Sequence, residues 1–173
     1  MKIKIIFLLL IIFSSTLYLS GCTSDNDEKK ISDKWLFAMD TDQVQIKYEA
    51  SGIPTLVIID KTGNVTFWGK GYHKKENIIP YIEKAIDGTS EQSIESRDFT
   101  VTTFNNKTFT LSDKIGKVVI LDIMGVGCPP CEMQMPELQE IQKQFGDEII
   151  ILSVDTYFSG ESKQDVIDTY EKY

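Results

Sequence analysis

Cysteine and histidine are scarce in this chain of 173 residues, which has three of the first and one of the second. A closed zinc site takes four ligands, and Cys128, Cys131 and His73 cannot complete one. Three cysteines are also too few for the disulfide framework that staples small secreted domains. Basic clusters are missing: 18 lysines and arginines stand against 26 acids, with a net charge of −8. Without a basic patch to neutralise phosphates, nucleic acid is not an expected partner. An acidic surface favours solubility and says little about partners. No internal repeat occurs, and the one long apolar run, Ile5 to Phe13, is too short for a settled transmembrane helix.

What is present begins with that run. Lys2 and Lys4 precede it, and small residues lead to Leu19-Ser20-Gly21-Cys22. This is the pattern of a secretory signal over 1–21, and its end resembles a lipobox in which Cys22 is lipidated. The alternative, an uncleaved anchor, puts the remainder on the same side. The expected location is the extracytoplasmic face of the cell membrane, with 22–30 as a polar tether. About 150 residues remain, enough for one domain with one core. With Cys22 lipidated, Cys128 and Cys131 form one reactive pair.

Hydrophobic patterning predicts an α/β domain over 31–173. "KWLFAMD" (34–40) reads as a strand and "DQVQIKYEASG" as a helix with Val44, Ile46 and Tyr48 inward. "PTLVIID" and "NVTFWGK" flank a Lys-Thr-Gly turn and make a hairpin. "KKENIIPYIEKAIDG" predicts an amphipathic helix with Ile78, Ile79, Ile82 and Ile86 inward, Gly88 at its end and Pro80 near its first turn. Residues 89–97 read as a linker. A second hairpin turns at Asn105-Asn106. "GKVVILDIM" and "EIIILSVD" are buried strands joined by a helix carrying Leu138, Ile141 and Phe145. Together they make a βαβ unit. The last helix opens on a Ser162–Asp165 capping box, with Val166, Ile167 and Tyr170 inward.

Cys128-Pro129-Pro130-Cys131 falls where the first buried strand ends and the helix begins. A helix N-terminus offers unpaired amides and partial positive charge, which stabilise a thiolate. Two intervening residues let the sulfurs close a disulfide within one turn. Cys128 is then the nucleophile and Cys131 the resolving thiol. Neither proline supplies an amide donor and no basic residue lies between the cysteines, which leans the pair towards a reductant. A static disulfide is the structural alternative.

"VVILDIMGVGCPPCEMQMPELQEI" resembles the TlpA/ResA-like branch of the thioredoxin superfamily. The resemblance implies a thioredoxin fold: a central mixed β-sheet flanked by helices. It implies a membrane-tethered thiol–disulfide oxidoreductase that reduces client disulfides outside the cytoplasm, often for cytochrome c maturation. Its partners would be client proteins and a thiol electron donor, with no cofactor and no metal. Pro136 matches the helix-kinking proline, and Asp122 the buried acid that carries a proton during exchange. Three positions depart from the pattern. Gly127 replaces an aromatic before the first cysteine, which opens the rim of the substrate site. Glu132 replaces a basic residue, and Gln134 replaces an acid two before the proline. Met124, Met133 and Met135 beside two cysteines raise an alternative, a copper(I)-binding lipoprotein without redox turnover. Methionines on a helix are more often core filler, the related copper proteins carry CxxxC, and His73 reads as a surface residue. Gly125 stands where a peroxiredoxin has threonine.

"GIPTLVIID" resembles the thioredoxin cis-proline segment, with a cis Ile53-Pro54 bond. Ile53, Pro54 and Thr55 then bind the substrate backbone as an added strand, with Gly127 at the rim. In the family this segment follows the cysteines; here it precedes them. Reading Tyr173 on into Ile31 restores the family order. The expectation is a circular permutation: 31–88 the family's C-terminal half, 89–97 a linker, 98–173 the N-terminal half.

Overall fold

The computed structural model describes residues 34–91, 94–157, 160–170, 172 and 173. The predicted signal, the tether and Cys22 lie outside the described residues. The first strand, β1 (Trp35–Met39), comes from the apolar stretch expected. The following helix, α1 (Val44–Lys47), is a single turn. The Asp40 carboxylate accepts the amides of Val44 (2.7 Å) and Gln45 (3.0 Å) and so starts it. Tyr48 closes it, so Ile46 never reaches the inward side and stays 68% exposed, against expectation.

The hairpin forms as read, from β2 (Thr55–Ile59) and β3 (Asn64–Lys70). Helix α2 (Lys75–Asp87) ends on Gly88, whose φ of 72° suits a residue without a Cβ. Ile78 and Ile82 are buried, while Ile79 and Ile86 are only partly so. Pro80 lies in the second turn, one turn deeper than predicted. The bond it forfeits belongs to the carbonyl of Glu76, an exposed residue. The expected linker carries its own two-residue strand, β4 (Ile94–Glu95), paired with Val65 and Asn64 at the sheet edge.

A small separate hairpin, β5 (Thr100–Thr102) and β6 (Thr108–Thr110), turns through Asn106 at φ 60°. Next come β7 (Val118–Met124), α3 (Pro129–Phe145), β8 (Ile149–Asp155) and α4 (Lys163–Tyr170). The Ser162–Asp165 box caps α4: the Asp165 carboxylate accepts from the Ser162 amide and hydroxyl, both at 2.7 Å. Val166 and Tyr170 are buried and Ile167 partly so.

The main sheet runs β1-β8-β7-β2-β3-β4. β7 is parallel to β8 and antiparallel to β2, and β8 is parallel to β1. This is the mixed sheet of the thioredoxin fold. Strand alternation splits the core into two layers. Val118, Ile120 and Met124 of β7 and Leu56 and Ile58 of β2 pack with α2, α3 and α4. Their neighbours Val119, Leu121, Ile123, Val57 and Ile59 pack with α1 and the small hairpin. With all seven residues of β7 buried, both faces are covered, as its unbroken apolar run required.

Candidate functional site

The site assembles at the C-terminal end of β7. Cys128 is the N-cap of α3, with Pro129 and Pro130 as its first two residues, where a missing amide hydrogen costs no helical bond. Its Sγ accepts the amide of Cys131 at 3.2 Å. The two sulfurs are bonded, with Cα atoms 5.2 Å apart. Cys128 keeps 6% exposure and Cys131 none, so an incoming group can reach only the first sulfur. Gly127 before it is exposed and has φ 71°. An aromatic there would be strained in a left-handed conformation, which accounts for the departure noted in the sequence.

Asp122 shares the helix-side face with Val118, Ile120 and Met124, two residues before β7 ends. It is fully buried. Its Oδ2 accepts the Ser153 hydroxyl at 2.9 Å, and Ser153 Oγ in turn accepts the Trp35 indole N–H at 3.0 Å. Its Oδ1 is buried and meets no donor. Burial pushes the carboxyl up to about 7, with the Ser153 hydroxyl opposing. A carboxyl poised there can give or take a proton at neutral pH.

The Ile53-Pro54 bond is cis. Thr55 pairs with Ile123, so the register places Pro54 one step on, level with Met124. Parity puts Pro54 on the same face as Leu56 and Ile58, the face that carries Cys128 and Cys131. Thr55 Oγ1 closes the turn by donating to the Gly52 carbonyl at 2.7 Å. Ile53 is half-buried and packs against both layers. The sheet thus brings Asp122 and the Ile53–Thr55 segment to the cysteine end of the fold, although the segment precedes the cysteines in sequence.

Several residues that build this site escape the sequence reading. The loop 71–74 ties the proline segment to α3: the Gly71 amide donates to the Pro54 carbonyl at 2.7 Å. Buried Gln134 then grips the backbone of His73 twice, accepting its amide (2.8 Å) and donating to its carbonyl (3.0 Å). Glu137 accepts the Tyr72 hydroxyl (2.6 Å) and the Lys75 amide (3.0 Å). Gln134 is therefore a clamp at the position where the family pattern has an acid. His73 is no surface residue: it is half-buried against the Phe67 ring, and its Nε2 is buried without a partner. Nothing in the local pattern "GKGYHKK" marks it: its ring packs against Phe67 of β3 and its backbone is held by Gln134 of α3.

On the other side, α4 and the end of β8 hold the loop before Cys128. The buried Tyr170 hydroxyl donates to the Gly125 carbonyl at 2.9 Å, and Glu161 accepts the Val126 amide at 3.2 Å. Asp155, paired with Met124 in register, is buried beside Glu161. A carboxylate ending the apolar run "IIILSVD" was a visible signal of the same kind as Asp122. Of the three methionines, Met124 and Met135 are buried in the core and Met133 is 55% exposed, so they do not converge. Among the described residues no group of three or more histidines, cysteines or acids is arranged to hold a metal ion.

A buried acid behind a bonded cysteine pair, a cis-proline segment and a mixed six-stranded sheet flanked by helices make up a thiol–disulfide redox site of thioredoxin type. The AhpC/TSA family model matches residues 95–171, the half that contains the cysteines. The chain is similar to the thioredoxin-like protein YneN of Bacillus subtilis, with 26% identity over 131 residues, 73% of this chain and 68% of that protein. It is similar to the thiol-disulfide oxidoreductase ResA of Bacillus anthracis, with 41% identity over 64 residues, 35% of this chain and 37% of that protein. ResA of Geobacillus kaustophilus is 38% identical over 79 residues, 44% of this chain and 42% of that protein. The matches to ResA thus span less than half of those proteins' length. No solved structure matches. Together with the fold, these similarities relate the chain to TlpA/ResA-like thioredoxin-fold proteins.

Proposed function

We propose that this protein is a membrane-tethered, extracytoplasmic oxidoreductase that reduces disulfides in client proteins, with Cys128 and Cys131 as its working dithiol. The observation that carries the reading is the pairing of an N-capping Cys128, reachable from solvent, with a fully buried Cys131 and a buried Asp122 on the sheet face behind α3. In the reduced protein the Cys128 thiolate attacks one sulfur of a client disulfide, and the other client sulfur leaves as a thiolate that takes up a proton. The Cys131 thiol passes its proton to Asp122 and attacks Cys128 Sγ. The second client thiolate leaves, and the Cys128–Cys131 disulfide forms. Two electrons have passed to the client, and an external dithiol restores the pair. Ile53, Pro54 and Thr55 align the client backbone beside Cys128, and Gly127 leaves room for it.

The anchor in this reading is lipid on Cys22, which follows from the sequence pattern at 19–22. No helix among the described residues is long and apolar enough to cross a membrane. The strand order supports a circular permutation. α4 is followed in space by β1, whose Phe37 stacks on Tyr170 at 6.3 Å, and the Lys34 carbonyl accepts from Ile151 at 2.7 Å.

The test is capture. In Cys131→Ser, Cys128 forms the mixed disulfide but cannot be released, so a client or a model disulfide peptide accumulates on Cys128 as a reducible adduct. Adducts on Cys131 in the reciprocal Cys128→Ser variant, with none on Cys128, would reverse the assignment. Tight copper(I) binding without exchange would replace the reading altogether.

A further inference from the structure

We propose that Trp35 and Ser153 are positioning residues for Asp122: they lock the serine hydroxyl as a donor to Oδ2, so that Oδ1 takes up and releases the proton exchanged with Cys131. The inference rests on Asp122 being the group that accepts that proton. The side chains lie in one row across the sheet. Asp122 of β7 pairs with Ser153 of β8, and Ser153 pairs with Phe37 of β1. Trp35, two residues before Phe37 on the same face, stacks on its ring at 5.6 Å, and Phe37 in turn stacks on Tyr170 at 6.3 Å. That stack holds the indole with its N–H on Ser153 Oγ at 3.0 Å.

The direction of each bond follows from what the groups can do. An indole N–H only donates, so Ser153 Oγ is the acceptor there. A hydroxyl has one hydrogen, and Ser153 sends it to Asp122 Oδ2 at 2.9 Å. Phe37 and Ile151, its other neighbours on this face, accept nothing, and Asp155 beyond it takes the Tyr157 amide at 2.8 Å. Asp122 and Ser153 have no exposure and Trp35 has 4%, so solvent offers the hydroxyl no alternative. A proton on Oδ2 would meet the serine hydrogen head-on. Oδ1 is buried, meets no donor and is the oxygen free to carry the proton. The relay also favours the charged form, because a bond to a carboxylate is about twice as strong as one to a neutral acceptor. Burial raises Asp122 and the Ser153 hydroxyl opposes it, in agreement with that direction.

Other ionisable groups reach this layer from the elements packed on it. Tyr170 of α4 feels the charge of Asp122, together with those of Glu132 of α3, Asp155 and Tyr173. Burial holds its phenol protonated, and the hydroxyl donates to the Gly125 carbonyl at 2.9 Å. From α3 come Cys128 and Cys131, which do not titrate while bonded to each other. β2 and α2 present Leu56, Ile78 and Ile82. Asp155 is a second carboxyl on β8, and burial raises it to about 7 as well. The ionisation of Asp122 is therefore read as the difference between the parent protein and Asp122→Asn.

Trp35 makes the relay readable. The chain has two tryptophans, so Trp68→Phe leaves Trp35 as the sole indole emitter. Its emission in the oxidised protein, followed against pH, should show a step near pH 7 that Asp122→Asn removes. Ser153→Ala takes the donor from the charged form and should move that step up by about one pH unit, whereas Ser153→Thr keeps a hydroxyl and should return it. The second readout is single-turnover reduction of a model disulfide peptide by the reduced protein. Release of the second peptide thiol should rise with pH through the same midpoint. In Ser153→Ala the rise moves up with it, so that release at neutral pH falls about fivefold and recovers at alkaline pH. Trp35→Phe keeps the ring and loses the N–H, so its rise should move the same way by less. Midpoints unmoved in both Ser153→Ala and Trp35→Phe would overturn the proposal, as would a rate lowered by one factor at every pH, which marks a merely structural role. No peptide reduction by the unmutated protein at any pH counts against the oxidoreductase, with the emission midpoints still deciding the relay. Reduction with unmoved midpoints counts against the relay alone.

Discussion

Replacing Asp122 by asparagine removes one buried ionisation and should change how stability depends on pH. In the unfolded chain this carboxyl titrates at its ordinary 3.8; in the fold, burial pushes it up to about 7. Below pH 3.8 both states hold the proton and the site is neutral to stability differences with pH. Between these values the folded protein keeps a proton that the unfolded chain has released, so stability falls by about 1.4 kcal/mol per pH unit. The full loss across the window is about 4 kcal/mol, and it is complete above pH 7. Asparagine has the same shape and does not titrate. Urea denaturation of the disulfide form at pH 5 and pH 8 should therefore show the variant gaining about 3 kcal/mol on the wild type between the two conditions. Asp155 contributes a similar slope to both proteins and cancels in the difference. Parallel stability curves would refute the account of Asp122 as a carboxyl held neutral by burial. The same variant should accumulate mixed disulfide on Cys128 at neutral pH, because Cys131 loses its proton acceptor.

Two further substitutions probe the loop that joins the proline segment to α3. Gln134→Ala leaves the amide and carbonyl of His73 without their partners, so chemical denaturation should show a loss of about 2–3 kcal/mol. A loss under about 0.5 kcal/mol would mean that water replaces the clamp. Gly69→Ala places a Cβ 2.5 Å from His73 Nε2 and 2.6 Å from the Phe67 ring. Relieving that overlap should cost about 1–3 kcal/mol in denaturation and lower the rate of client reduction, by displacing the His73 backbone from Gln134. An unchanged midpoint would show that the two rings yield freely.

Much of the fold was legible because it rests on local pattern. The continuous apolar runs of β7 and β8 announced strands buried on both faces, and the cysteines between them marked the start of α3. Asp122 stood out as the one carboxylate inside such a run, and Ile53-Pro54 through its place before another. What stayed hidden depends on distant partners. Gln134 looks like the loss of an acid until His73 is folded onto it. His73 looks exposed until Phe67 and α3 enclose it. Glu161 sits in a polar stretch, and its role appears only when the segment before α4 brings it to Val126. The helix at 44–47 is shorter than its periodicity suggests, because Asp40 starts it and Tyr48 closes it within one turn.

The order of the two halves then has a physical reading. β7 is the strand through which they meet: it takes β8 from its own half in parallel and β2 from the other half antiparallel. Hydrogen bonds between strands depend on register and direction and are indifferent to which strand was made first. The same holds for the clamp between loop 71–74 and α3 and for the Phe37–Tyr170 stack, each of which joins the halves. Neither half contains the site. One has the cysteines and Asp122, the other the cis proline, and only β2 lying beside β7 brings the proline to the level of Met124. Any change that weakens that pairing should therefore lower exchange activity and stability together, whereas changes at the β3–β4 edge, on the far side of β2 from the cysteines, should affect stability alone.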